Sequence, residues 1–154
     1  MPVKRAPQRM RAAIEIGWCE MVDIPSLSLS QVHAKMDTGA ATSSIHASRV
    51  KPIMKDGKQW VEFWFRKSAG EKPRRCEAAI IDRRQVRSSN GAKQDRYVIA
   101  AQFCFGKLCW QGQLTLANRR SMAFPLLIGR RALRRGFLVN SGRRWVLGKP
   151  AQKE

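Results

Sequence analysis

His33-Ala34-Lys35-Met36-Asp37-Thr38-Gly39-Ala40-Ala41-Thr42-Ser43-Ser44-Ile45-His46-Ala47 is the stretch that decides the fold. Val32, Ala34 and Met36 alternate with polar residues, so residues 31–36 read as a strand with one apolar face. Asp37, Thr38 and Gly39 interrupt that alternation. Residues 37–41 then read as a tight loop, and Thr42 to Ala47 as a further short strand. An acid on such a loop is held apart from the regular backbone. The hydroxyl of Thr38 can brace the loop. Gly39 lets another backbone approach closely, because it carries no Cβ.

The same pattern continues outward. Residues 12–22 alternate and predict a first strand, with Ile14, Ile16 and Trp18 on one face. Pro25 and Ser26, Ser28 and Ser30 mark a turn. Pro52 to Lys58 reads as a polar turn centred on Asp56-Gly57. Residues 59–67 and 75–81 read as strands, the second running into Asp82-Arg83-Arg84. Ser88-Ser89-Asn90-Gly91 is the strongest hairpin signal. Residues 96–105 and 107–117 predict a second hairpin across Gly106-Lys107, followed by a basic loop at 118–122. Phe124 to Ile128 predicts a buried strand ended by Gly129. Arg130 to Arg135 predicts a brief helix stopped by Gly136. Residues 137–140 and 145–147 predict a last hairpin across Ser141-Gly142. About ten short strands and one short helix make an all-β domain, a barrel or closed sheet.

The 154 residues fit one domain, and 44% hydrophobic residues suffice for its core. We read residues 1–11 as a flexible basic arm, 12–149 as the domain and 150–154 as a tail. The arm has no apolar stretch that would make it a secretory signal. No run approaches a membrane span, so cytoplasmic placement and no membrane partner are expected. Cys19, Cys76, Cys104 and Cys109 show no C-x-x-C spacing and read as free thiols. Cys104 and Cys109 could face each other across their hairpin. The tryptophans fall mostly on apolar strand positions, which points to core packing.

Charge is one-sided: 30 Lys+Arg against 11 Asp+Glu, a formal +19. Six Arg-Arg pairs occur, and arginine's planar fork suits carboxylates and phosphates. An acidic peptide, nucleic acid or an acidic surface would suit that charge. No RNA-binding aromatic signature or helix-turn-helix pattern accompanies the arginines, which makes nucleic acid the less favoured partner. No H-E-x-x-H is present, and His33 and His46 lack a paired-ligand spacing, so no metal or other cofactor is expected.

Among the carboxylates, Asp37 has the setting that carries chemistry. Hydrolysis of a peptide bond by carboxylates needs two, sharing one proton across a water. The chain holds a single Asp-Thr-Gly, so a complete site would take Asp37 from each of two copies in a two-fold homodimer. The plainer reading is a turn aspartate ahead of a left-handed glycine. The hairpin at residues 87–97 is either a surface turn or a flap that closes over a bound peptide.

Lys35 to Ala47, with Arg75-Cys76-Glu77, Ser88 to Gly91, Arg96 to Ile99 and Leu127-Ile128-Gly129-Arg130-Arg131-Ala132-Leu133, resembles the RimB-type retropepsin-like peptidases. Members of that family are also labelled ATP-dependent zinc proteases. The resemblance runs from about Gly17 to Gly148. It implies a retropepsin-like closed β-barrel with one short helix near the C-terminus, and a catalytic role for Asp37, supported by Thr38 and Gly39. It further implies a link to RimK-type ATP-grasp glutamate ligases, and hence a poly-glutamate substrate. The acidic substrate agrees with the charge. Ser88, Ser89, Asn90 and Gly91 would form the flap, and Arg87, Arg96 and Arg130 would hold substrate carboxylates. Asn140 departs from the family's usual Asp, and the segment from Val50 to Arg84 has no counterpart in the smallest viral retropepsins. Two alternatives stand beside the peptidase. One is a non-catalytic basic module that binds RNA or an acidic protein tail. The other is a zinc peptidase, as the label says.

Overall fold

The computed structural model describes residues 13–87, 91–118 and 123–148. These form β1 (Ile14–Gly17), β2 (Cys19–Ile24), a 3-10 turn (Pro25–Leu27), β3 (Leu29–Asp37), β4 (Ser43–His46), β5 (Ser48–Lys55) and β6 (Lys58–Phe65). They continue with β7 (Arg74–Arg87), β8 (Lys93–Phe105), β9 (Leu108–Ala117), β10 (Leu126–Gly129), α1 (Arg130–Leu133) and β11 (Phe137–Asn140). The protein is mostly β, with one short helix, as the turn spacing and alternation require.

The main sheet has the order β2-β3-β10-β4-β9-β8-β7-β6-β5, and β1 pairs in parallel with β11 apart from it. A single bridge, Asp23 opposite Cys104, links β2 to β8. The sheet is therefore not a plain closed barrel: β5 and β6 extend it as a flank. β7 makes this possible by changing partner. Residues up to Ala79 pair with β6, and residues from Ile80 onward pair with β8, across a bulge between Ile80 and Asp82. Bulges bend a strand and let it leave one partner for another.

The core lies between these layers. Val32, Ala34 and Met36 are buried on β3 while Gln31, His33 and Lys35 face outward. They pack with Ile24, Ile45, Phe63, Ile99, Leu114, Leu126 and Ile128, all fully buried. Phe105, Trp110 and Phe137 form an aromatic cluster with ring centroids 4.8 to 5.5 Å apart. The tryptophans do not fill the core. Each of the five is half-buried; Trp110 packs against the core, whereas Trp60 and Trp64 alternate with the buried Val61, Phe63 and Phe65 on β6 and so lie on its other face.

Several expectations are corrected. The first strand is two strands, broken at Trp18, because β1 pairs with β11 while β2 pairs with β3. Pro52 does not begin a turn; it sits in β5, an edge strand, where a missing N–H costs no ladder bond. The turn itself is at Asp56-Gly57, as expected. β7 does not end at Ile81 but runs through Asp82-Arg83-Arg84. Residues 145–147 are not a strand. Their backbone N–H groups, from Val146 and Leu147, donate instead to the fully buried carboxylate of Glu20, which also accepts from Gly17. Cys104 and Cys109, opposite each other on the β8–β9 hairpin, are joined in a disulfide; Cys19 and Cys76 are free and buried. Most of the basic loop expected at 118–122 lies outside the described residues.

Asn140 has a use for its amide. Its Nδ2 donates to Glu15 at 2.6 Å and its Oδ1 accepts from the Gly142 N–H at 2.9 Å. An aspartate could make the second bond but not the first.

Candidate active site

β3 delivers Asp37 to its C-terminal end, and β10 runs parallel beside it with Gly129 opposite Asp37. The chain then leaves β3 through residues 38–42 and returns as β4, which pairs with the other edge of β10. The loop that carries Asp37 thus surrounds the end of β10.

Gly129 makes that geometry feasible. A Cβ there would lie 2.6 Å from the Thr42 carbonyl carbon and oxygen. Only a residue without Cβ can pass so close. Its N–H donates to Ser43 Oγ at 3.1 Å, and Thr115 Oγ1 donates to the Ser43 carbonyl at 3.2 Å. Beyond Gly129, the Arg130 N–H donates to the Ala40 carbonyl at 2.8 Å and the Arg131 N–H to that of Ala41 at 3.3 Å. The Arg130 guanidinium reaches the Gly39 carbonyl at 3.1 Å. The start of α1 therefore clamps the loop at three successive carbonyls, Gly39, Ala40 and Ala41.

Asp37 is half-buried, whereas Thr38 and Gly39 are exposed. Asp37 Oδ1 accepts from the Gly39 N–H at 3.0 Å. Gly39 lies in a turn closed by the Ala40 N–H on the Asp37 carbonyl at 3.2 Å, as the plainer reading expects, but its backbone is not left-handed. A Cβ at that position would crowd Asp37 Oδ1 at 3.3 Å. Its lack of a side chain keeps the carboxylate's surroundings open.

The structure brings together Asp37, Thr38, Gly39 and Arg130 from the expected residues. Arg130 acts on the loop itself, which its sequence position alone did not reveal. Arg96 lies on β8 opposite Arg84 and is largely buried, with Nε 3.4 Å from Gln94 Oε1. Arg87 ends β7 opposite Lys93 on β8, so the two strands project as the expected hairpin. Ser88, Ser89 and Asn90 lie outside the described residues. Gly91, just past them, has φ +82°, a turn conformation that suits glycine.

Two further cavities are open to solvent. One, of about 370 Å³, lies next to Thr42 and Ser43 and is lined by Arg84, Trp110, Arg131 and Arg135. The other, of about 640 Å³, brings together His33 and His46 with Arg49, Arg66 and Lys67. Sequence spacing gave no sign that the two histidines would share a wall. Burial pushes the His46 imidazole below its ordinary pKa. Among the described residues, no group of three His, Cys, Asp or Glu side chains is placed to hold a metal ion. Nor is any helix among them long and apolar enough to cross a membrane.

Residues 15–150 match the family model described as RimB-like, retropepsin-like aspartic endopeptidase RimB. The chain belongs to the RimB-like family. Curated relatives of this RimB-like chain carry a different name. A probable alpha-L-glutamate ligase of Shewanella pealeana is 37% identical over 139 residues, covering 89% of this chain and 30% of that protein. One of Shewanella halifaxensis is 39% identical, covering 86% and 29%. The chain thus spans less than a third of the length of these relatives. A solved Legionella pneumophila protein, described as of unknown function, superposes with a TM-score of 0.72 at 22% identity, over 87% of this chain and 98% of that one. That likeness shows that the RimB-like fold is shared with it.

Proposed function

We propose that the chain is one half of a retropepsin-like aspartic peptidase that hydrolyses peptide bonds in acidic, glutamate-rich substrates. The carrying observation is the clamped loop: Asp37 stands at the end of β3 on a backbone fixed by Gly129 and Arg130. A rigid carboxylate at a strand end is what acid–base chemistry at a scissile bond needs. In this reading the strands β2-β3-β10-β4-β9-β8, joined by the Asp23–Cys104 bridge, form the retropepsin-like half-barrel. β7 and β8 carry the flap at residues 88–91.

The mechanism takes Asp37 from two copies on a two-fold axis. Two carboxylates that close cannot both ionise, so they share one proton. The ionised Asp37 removes a proton from a water held between them, and the water oxygen attacks the peptide carbonyl. The protonated Asp37 donates to the carbonyl oxygen. The tetrahedral intermediate then collapses, the C–N bond breaks, and the amine leaves with a proton from the dyad. Arg130 and Arg131 hold the loop through the Gly39, Ala40 and Ala41 carbonyls, and Gly39 leaves room at Oδ1. Arg87 and Arg130 supply positive charge near the substrate; Arg96, largely buried, adds to the field rather than touching the peptide.

Relatives named as glutamate ligases support an acidic substrate and a functional link to such a ligase. They also support a second reading, in which this domain only presents an acidic tail to a ligase. Hydrolysis decides between them. Asp37→Asn is expected to abolish cleavage of an oligo-glutamate peptide while circular dichroism and melting stay native-like. Cleavage that survives in this variant overturns the aspartyl mechanism.

A further inference from the structure

The β5–β6 hairpin plays no part in the Asp37 site, yet it walls the larger cavity. This space of about 640 Å³ is bounded by His33 on β3, His46 on β4, and Arg49, Trp64, Arg66 and Lys67 from the hairpin and its exit. The size is that of a pocket for several side chains of a ligand. Three full positive charges converge there. No ion pair joins Arg49, Arg66 or Lys67 to a carboxylate among the described residues. Lys67 is half-buried at this wall, and Arg49 and Arg66 are exposed beside it.

The backbone at this wall is also special. Arg49 has φ +50°, a left-handed conformation for a residue with a Cβ, inside a register shift between Ser48 and Lys51. Bulges with such strain re-aim side chains and gather at functional sites. β3 carries both His33 and Asp37, four strand steps or about 13 Å apart. One extended peptide of a few residues can therefore reach from one to the other.

We propose that this cavity is a second binding site for the carboxylates of an acidic peptide, apart from the Asp37 loop. Arg49 and Arg66 receive carboxylates through their guanidinium forks, and Lys67 supplies a point charge. Bound there, an acidic chain is anchored while another part of it lies at Asp37. A nucleic-acid strand fits less well, because Trp64 is the lone tryptophan of the wall and half-buried, which gives no platform for successive bases. The proposal takes its ligand class from the function proposed above, but not the chemistry.

The test is binding of a fluorescent oligo-glutamate peptide to the full chain carrying Asp37→Asn, at physiological salt, so that turnover plays no part. Adding Arg49→Gln, Arg66→Gln and Lys67→Gln should weaken binding about tenfold or more. Adding Lys58→Gln, Lys107→Gln and Arg134→Gln, which removes the same charge elsewhere on the surface, should change it little. Arg66→Gln with Lys67→Gln alone serves if the triple variant does not fold, and should give an intermediate loss. Equal weakening by both triple variants reduces the effect to net charge and overturns the proposal. So does tight binding of a single-stranded RNA oligonucleotide at this cavity with no binding of the peptide. Loss of hydrolysis with intact peptide binding bears on Asp37 and leaves this site standing.

Discussion

The Arg130 guanidinium donates to the carbonyl of Gly39 at 3.1 Å, two residues after Asp37. One arginine thus ties the first turn of α1 to the loop that holds the candidate catalytic acid. Arg130→Ala removes that tie and leaves the backbone bonds to Ala40 and Ala41. Melting should report a loss of only about 1–2 kcal/mol. If the loop must hold Asp37 in register with its partner copy, hydrolysis should fall by about 100-fold, mostly in kcat. Arg130→Lys should recover part of the loss, since the tie is one N–H to one carbonyl and an ammonium can also donate there.

Gly129 and Thr42 cross at a distance that no side chain tolerates. Gly129→Ala should destabilise the fold by about 2 kcal/mol or more, read by chemical denaturation. Gly70→Ala is the control, because its Cβ would meet nothing within 4 Å. It should leave the midpoint unchanged.

Glu20 is a structural carboxylate rather than a catalytic one. It is fully buried and accepts from three backbone N–H groups, at Gly17, Val146 and Leu147. Glu20→Ala orphans all three and should cost about 3 kcal/mol. The segment at 145–147 should then lose amide-exchange protection before the sheet does. Glu20→Gln should rescue only part, since an amide offers one acceptor oxygen in place of two.

Cys76 gives a pH signature. Burial pushes its thiol up to about 11, against a smaller opposing effect of Arg74. A raised thiol pKa keeps the neutral, unreactive form. At pH 8 in the folded protein, alkylation should be slower than for a free cysteine by about 100-fold from thiolate fraction alone. Its rate should climb with pH toward the shifted value. Mass spectrometry of alkylated peptides, native against unfolded, reads this directly. In stability terms the group favours the native state less once pH exceeds the ordinary thiol value. There the unfolded chain can lose a proton that the folded one retains.

Much of the fold was legible in local pattern. The alternation of Val32, Ala34 and Met36 and the stop at Asp37 were enough to place β3 and its loop. The Asp56-Gly57 and Gly106-Lys107 turns, and Gly136 after α1, followed from backbone chemistry. What failed depended on distant partners. Pro52 looks like a strand breaker until β5 is known to be an edge. Asp82, Arg83 and Arg84 look like a strand end until β8 is found beside them. Val146 looked like part of a strand, but its N–H is held by Glu20, far away in sequence. At the site, Asp37, Thr38 and Gly39 were legible from their order. The clamp by Arg130 was not, because the contact needs β10 inserted between β3 and β4. Nor was the basic cavity, whose walls come from four separate strands and the loops beside them.

Asp37 is proposed above as half of a proton-sharing pair. A crystal structure of the chain with a bound acidic peptide, or of its dimer in solution-matched conditions, measures it through the separation of the two Asp37 carboxylates. A two-fold dimer with those oxygens about 3 Å apart across one water is the expected result. A dimer in which the two Asp37 side chains face away from each other, with the peptide bound and uncleaved, would contradict it.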